Sequence, residues 1–269
     1  MNPLRLIGIV RSAPHHLLAL AMATALAVGG LGGLGIASAL AAAAPAANPT
    51  ITCARTDVTC VIAFGNQRID ERTAALTKLN DRASEQVAAG HITSSQAAAI
   101  QADVTSNQSG LAALKGKLDA ETDAAAARQD VRTIYTQFRI YLVVLPRDYH
   151  EIVLDIMTNV QAKLAGLEPT LQQAIQNAPA DEQQQLKALY GDYTTKVAAA
   201  STQITAANGL VAYFTPDNIN NSPATYRTNW LTFRSDILAG RADLRQAASD
   251  LHQMSTMLKE HAATATPTA

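Results

Sequence analysis

From Tyr226 to Leu258 the apolar side chains advance in steps of four and three. They are Trp230, Phe233, Ile237, Leu244, Leu251, Met254 and Leu258, with Gly240 and Ala247 in the remaining slots. This is the heptad signature of helices that pack along a seam; a strand would demand a period of two. The segment before it does the same at Leu186, Tyr190, Tyr193, Val197, Ala200, Ile204, Ala207, Val211 and Phe214. A third run, Val153, Met157, Val160, Leu164, Leu167, Leu171 and Ile175, has looser spacing. Upstream, Ile69, Leu76, Leu79, Ala83 and Val87 suit a helix ending at Gly90. Thr93 and Gln96 then form a capping-box pattern ahead of Ile100, Val104, Leu111, Leu114 and Leu118. Another helix begins near Thr122-Asp123 and carries Val131, Ile134, Tyr135, Phe138, Tyr141, Leu142 and Leu145, with Pro146 ending or kinking it. The expected fold is all-α, an elongated antiparallel helical bundle of coiled-coil-like hairpins. About six helices fill residues 65–261, with breaks near 90–93, 120–123, 146, 178–181 and 215–223. Alanine, 53 of 269 residues, lets the helix faces approach closely.

The first fifty residues read differently. No acidic residue precedes Asp57, while Arg5, Arg11, His15 and His16 open the chain. An apolar run from Leu17 to Leu40 follows, and Ala37-Ser38-Ala39 and Ala42-Ala43-Ala44 both offer Ala-x-Ala exits. These are the parts of a secretory signal peptide. The alternative is an uncleaved transmembrane anchor over residues 17–40, against which Gly29-Gly30-Leu31-Gly32-Gly33 dilutes both hydrophobicity and helix propensity. Residues 1–44 are therefore expected to export the chain, leaving it secreted or associated with the cell envelope, or anchored if they stay attached. Residues 45–64 read as an extended segment and residues 262–269, with Thr and Pro interleaved, as a disordered tail. Cys53 and Cys60 are the two cysteines. In an exported chain a local disulfide between them is the economical reading, and no His or third Cys accompanies them to build a metal site.

The charge balance excludes a dedicated nucleic-acid binder: 21 basic against 22 acidic side chains leave no surplus for phosphate contacts. His150-Glu151 opens like a zinc-protease helix, but Leu154 stands where the second His belongs. No Gly-rich phosphate loop and no nucleophile elbow are legible. Asp217-Asn218-Ile219-Asn220-Asn221 puts Ile219 where a calcium loop needs an oxygen ligand. No catalytic residue, cofactor or metal is expected.

Two patterns remain. Eleven of the twelve aromatic residues lie between Tyr135 and Phe233. A hairpin folded at 215–222 brings Tyr213 and Phe214 to Tyr226, Trp230 and Phe233, and a neighbouring helix adds Tyr149 and Tyr141 at the same end. Such a cluster reads first as a core plug and second as a cleft for an apolar or sugar-like ligand, or as a partner-binding tip. Beside the seam, Arg227, Arg234 and Arg241 recur every seven residues, with Arg245 one turn on. They form a stripe that covers the seam with its stems or docks an anionic partner.

The stretch Cys60-Val61-Ile62-Ala63-Phe64-Gly65, followed by Ile69-Asp70-Glu71-Arg72, together with Arg139-Ile140-Tyr141-Leu142-Val143-Val144-Leu145-Pro146, resembles uncharacterised exported Ala/Gln-rich α-helical proteins of actinobacterial type. The resemblance spans residues 50–180. It implies export and a helical fold, and no activity or functional residue. The expected function is a non-enzymatic cell-envelope module making protein–protein contacts through helix faces, with another envelope protein or with itself. A membrane would be met only through residues 17–40. The alternative is an extracytoplasmic ligand-binding module using the aromatic cluster. For the cysteines the expectation is direct: the exported protein should weigh two hydrogens less than its reduced form by mass spectrometry, and free thiols would overturn the pairing.

Overall fold

The computed structural model describes residues 52–264, with side chains described as far as Lys259. The leader at 1–44, including its apolar run at 17–40, lies outside the described residues, as does 265–269 of the expected tail. The described chain is all-α, with no strand: α1 Val58–Ala88, α2 Ser94–Asp119, α3 Ala124–Thr133, two π-helical turns at Ile134–Phe138 and Ile140–Val144, α4 Leu145–Gln176, α5 Ala180–Val211, the short α6 Pro216–Asn221 and α7 Pro223–Thr264. None of these helices is long and apolar enough to cross a membrane. The chain divides into two compact units. One holds 160–200 and 241–264 of the described residues, and the other holds 52–159 and 201–240. Helices α4, α5 and α7 each contribute a part to both.

The larger unit begins with a bridge between Cys53 and Cys60, whose Cα atoms are 5.7 Å apart. Arg128 of α3 donates to the carbonyls of Cys53 and Ala54, both at 2.8 Å, and pins this loop down. The helix starts at Val58, inside the stretch read as extended to residue 64. The Asp57 carboxylate accepts from the Cys60 backbone N–H at 2.9 Å and caps the first turn. Helix α1 ends in a Schellman turn: Gly90 sits at φ 69°, His91 N–H returns to the Gln86 carbonyl and Gly90 N–H to that of Val87. The Thr93–Gln96 capping box then opens α2. Helices α1 and α2 thus form an antiparallel hairpin whose facing sides are Ile69, Leu76, Leu79 and Ala83 against Ile100, Val104, Leu111 and Leu118. At Gly65 the approach to α2 and α3 is so close that a Cβ would stand 2.4 Å from Leu118 Cδ2 and 2.8 Å from Val131 Cγ2.

The break expected at Pro146 lies seven residues earlier. Arg139, between the two π-helical turns, has the left-handed backbone φ 45°, ψ 40°, a conformation that costs a non-glycine residue on the order of 1–3 kcal/mol. Pro146 instead occupies the second position of α4, where a missing N–H matters little; just before it, Leu145 N–H closes a π-type bond to the Ile140 carbonyl. The π turns deliver Tyr135 and Tyr141 to Arg72, whose guanidinium carbon lies 4.5 and 5.1 Å from their ring centroids. Arg72 is buried, and its Nη1 donates to the Arg68 carbonyl at 2.8 Å. Contact with the faces of two aromatic rings helps to hold this buried guanidinium.

The stretch read as a loop at 215–223 contains α6. Thr215 caps it by accepting from Asn218 N–H, and Asn220 ties it to the first π turn by donating to the Thr136 carbonyl at 2.8 Å and accepting from Arg139 Nε at 2.7 Å. Helix α7 runs to Thr264, past the expected tail start at 262, through Ala262-Ala263, residues of high helix propensity.

In the smaller unit, α4 and α5 are antiparallel neighbours across the turn at Asn177–Pro179. Tyr193, fully buried, donates its hydroxyl to the Leu164 carbonyl, and Tyr190 reaches the Glu168 carbonyl. Both lie within the turns around Pro169, which interrupts the backbone ladder of α4. The heptad positions Leu186, Tyr193, Val197 and Ala200 of α5 and Leu244, Ala247, Leu251, Met254 and Leu258 of α7 are buried, and Lys196 pairs with Asp243 at 3.0 Å.

Two helical glycines give opposite expectations. Gly65→Ala should destabilise the protein by roughly 1–3 kcal/mol through overpacking. Gly116→Ala, whose Cβ meets nothing within 4 Å, should stabilise it by about 0.5–1 kcal/mol. Urea unfolding of both variants checks this, and equal effects would refute the close approach at Gly65.

Candidate functional site

The first seam residues of α7 converge on Phe214, in the turn after α5. Its ring centroid is 5.0 Å from Trp230, 5.0 Å from Phe233, 5.4 Å from Tyr226 and 6.0 Å from Tyr213. Tyr213 also lies 6.4 Å from Tyr226, and Trp230 5.4 Å from Phe233. All five aromatics singled out in the sequence are therefore brought together. Phe214, Phe233 and Tyr226 are buried and Trp230 half-buried, so the rings fill one another's space. Edge-on and tilted arrangements, rather than an open slot, account for this packing. Burial pushes the Tyr226 hydroxyl up to about 12.

The ring that α4 contributes is His150, not Tyr149 or Tyr141. It lies 5.2 Å from Trp230 and 5.6 Å from Phe233. Its Nδ1 is 2.7 Å from the Pro146 carbonyl, which can only accept, so Nδ1 carries the proton. Tyr141 instead donates to the Glu71 carbonyl at 3.1 Å beside Arg72. The sequence paired His150 with a metal motif it could not complete; its position one residue beyond Tyr149 turns it to the aromatic side.

The opposite side of α4 carries a row of acids that sequence reasoning passed over. Asp148, Glu151 and Asp155 follow at steps of three and four, so they share one helical face. Arg147 binds Asp148 through Nε at 2.6 Å, Asp103 of α2 through Nη2, and the Phe214 carbonyl through Nη1 at 3.3 Å. Burial is the main force on these acids. It lifts Asp148 to about 7, opposed by Arg147 and reinforced by Asp103. It lifts Asp155 to about 6, reinforced by Glu151 and opposed by a hydrogen bond from Gln96 Nε2 at 3.2 Å. Glu151 is also raised, again by burial first. Arg147 is itself held above its ordinary range: burial acts to lower it, and Asp148 and Asp103 outweigh that. Asn159 completes the row by donating to Gln96 Oε1 at 3.0 Å and to the His91 carbonyl at 2.9 Å. The signal for this row was present as three acids at helical spacing inside an apolar stretch.

The arginine stripe is uneven. Arg227 and Arg234 are exposed on α7 in the larger unit. Arg241, in the smaller unit, is half-buried, and burial followed by Arg245 lowers its pKa. One turn on from Arg227 and Arg234 lie Leu231 and Leu238, 57% and 60% exposed. Among the described residues no group of three or more His, Cys, Asp or Glu side chains is placed to hold a metal ion. Comparison with protein-family models, with curated proteins and with solved structures finds no match for this chain.

Because Phe214 is the ring that Tyr213, Tyr226, Trp230 and Phe233 all meet, Phe214→Ala should destabilise the protein by about 3–5 kcal/mol. Trp230 emission should shift to the red as its cover is lost. A cost below about 1 kcal/mol in chemical denaturation would contradict a closed aromatic plug.

Proposed function

We propose that this chain is a non-enzymatic exported protein of the cell envelope that serves as an interaction module, offering helix faces to protein partners. The observation that carries this reading is the outer face of α7 in the larger unit. Leu231 and Leu238 lie seven residues apart with more than half their surface in water. Large apolar side chains at heptad spacing fit the seam of another helix. Arg227 and Arg234 flank them, and between Pro223 and Gly240 no acidic residue is exposed, Asp236 being half-buried. The face is therefore apolar with a positive border, which suits a partner helix whose seam is bordered by Asp or Glu.

Export is supported by the leader pattern of residues 1–44, by the resemblance of the Cys60–Arg72 and Arg139–Pro146 stretches to exported helical proteins, and by the Cys53–Cys60 bridge, a bond that persists outside the reducing cytosol. The aromatic residues support a structural role within the module, since they pack on each other.

A photo-crosslinking amino acid placed at Thr228, exposed beside Leu231, tests this in the producing cell. The expected result is one adduct of discrete mass, lost when Leu231→Ser and Leu238→Ser are introduced together while helix content stays the same. Adducts that persist unchanged in the double variant, or no adduct above background, would contradict the reading. Sedimentation of the purified chain separates a second copy from a different partner.

A further inference from the structure

We infer that Asp103, Arg147 and Asp148 make a proton-operated clasp. With one proton held between the two carboxyls, it fastens α2 and the turn after α5 to α4; with that proton released, it lets α2 go.

The geometry is that of two acids sharing one base. Asp148 is 1% exposed, and its Oδ1 accepts from Arg147 Nε at 2.6 Å. Its Oδ2 is buried with no donor, and Asp103 is held by the same guanidinium through Nη2, which makes the two carboxyls neighbours. Two carboxylates cannot hydrogen-bond; a carboxyl and a carboxylate can, and the proton between them supplies the donor that Oδ2 lacks. Each of the three Arg147 nitrogens is already engaged, with Asp148, Asp103 and the Phe214 carbonyl. In the protonated state its single positive charge balances the single negative charge of the pair.

The groups that face the clasp cannot balance a second negative charge. On α4 itself Glu151 acts on Arg147 and Asp103, and Asp155 lies one turn beyond Glu151. From α7 comes the neutral Tyr226, which feels Arg147 and Arg139, and the turn after α5 presents a carbonyl. Loss of the proton therefore leaves a buried, uncompensated carboxylate, a costly state. Asp103 is the member that can leave, with 36% of its side chain exposed against 1% for Asp148.

Asp148 holds its proton to about 7 in the folded chain and to about 4 when unfolded. The stabilisation is fully present below about pH 4 and is lost as pH rises to about 7, so mild acid tightens the structure.

The experiment is thermal unfolding of the full chain at pH 6 and pH 8, wild type against Asp148→Asn. Asn keeps an oxygen for Arg147 and an N–H for Asp103, and imitates the protonated acid. We expect the wild-type Tm to fall by about 2–4 °C from pH 6 to pH 8, with little change in Asp148→Asn. Amides of α2, corrected for intrinsic exchange, should exchange faster at pH 8 in the wild type only. A wild-type Tm that is level or rises over this range, or a fall of equal size in the variant, overturns the clasp. Should Asp148→Asn not fold, carbon-13 titration of the wild-type carboxyls decides: one Asp with a midpoint near 7 supports the clasp, and none above about 6.5 overturns it.

Discussion

No residue from Val143 to Met157 is exposed: the end of the second π turn and the first half of α4 are buried or half-buried throughout. An ordinary surface helix hides one stripe and wets the rest; this one has no wet side. Ile152, Val153, Leu154, Ile156 and Met157 of α4, with Val143 and Val144 at the end of the second π turn, gain fully from burial. Every polar member must find its partner within the protein, since an unpaired buried group costs more than a pair returns. The remaining elements of the unit are placed by those obligations.

The partners show this. Asp155 and Asn159 hold the Gly90–Gln96 turn, and so fix where the α1–α2 hairpin docks. Arg147 reaches α2 through Asp103 and the turn after α5 through the Phe214 carbonyl. His150, on the other side, closes the aromatic plug against Trp230 and Phe233. The strained backbone of Arg139 belongs to the same account. The left-handed residue lets the chain leave α3 and enter α4 while turning Tyr135 and Tyr141 onto Arg72, and Asn220 of α6 holds the Arg139 side chain. Buried ionic groups of this kind are weak sources of stability. Their service is to specify one arrangement among several apolar ones.

Much of this was legible wherever the physics is local or periodic. The heptads of α5 and α7 named the buried apolar residues from Leu186 to Leu258, but not the buried Asp250 and Ser255. The Thr93–Gln96 box and the Cys53–Cys60 loop are pairs within eight residues, and the meeting of Phe214 with Tyr226, Trp230 and Phe233 follows from one short hairpin. The π-helical turns were not legible, because the run Val131–Leu145 has helical spacing and nothing in it marks Arg139 as the left-handed residue. Pro146, the obvious breaker, is harmless in a first turn. The helix hidden in 215–223 is held by Asn220 to residues more than eighty positions away. The acids of α4 had a signal, Asp148, Glu151 and Asp155 on one face, but an acid face normally means solvent. Only the packing of α2 against it reverses that reading.

If the buried half of α4 is what the rest of its unit rests on, its backbone opens only when the whole unit unfolds. Native-state hydrogen exchange, followed residue by residue across rising denaturant, measures this directly. The account predicts that the amides of Ile152–Met157 share the highest opening free energy in the unit and that this equals the free energy of its global unfolding. If those amides exchange through a smaller opening while α1 or α2 stays protected, α4 is not the element on which the others depend.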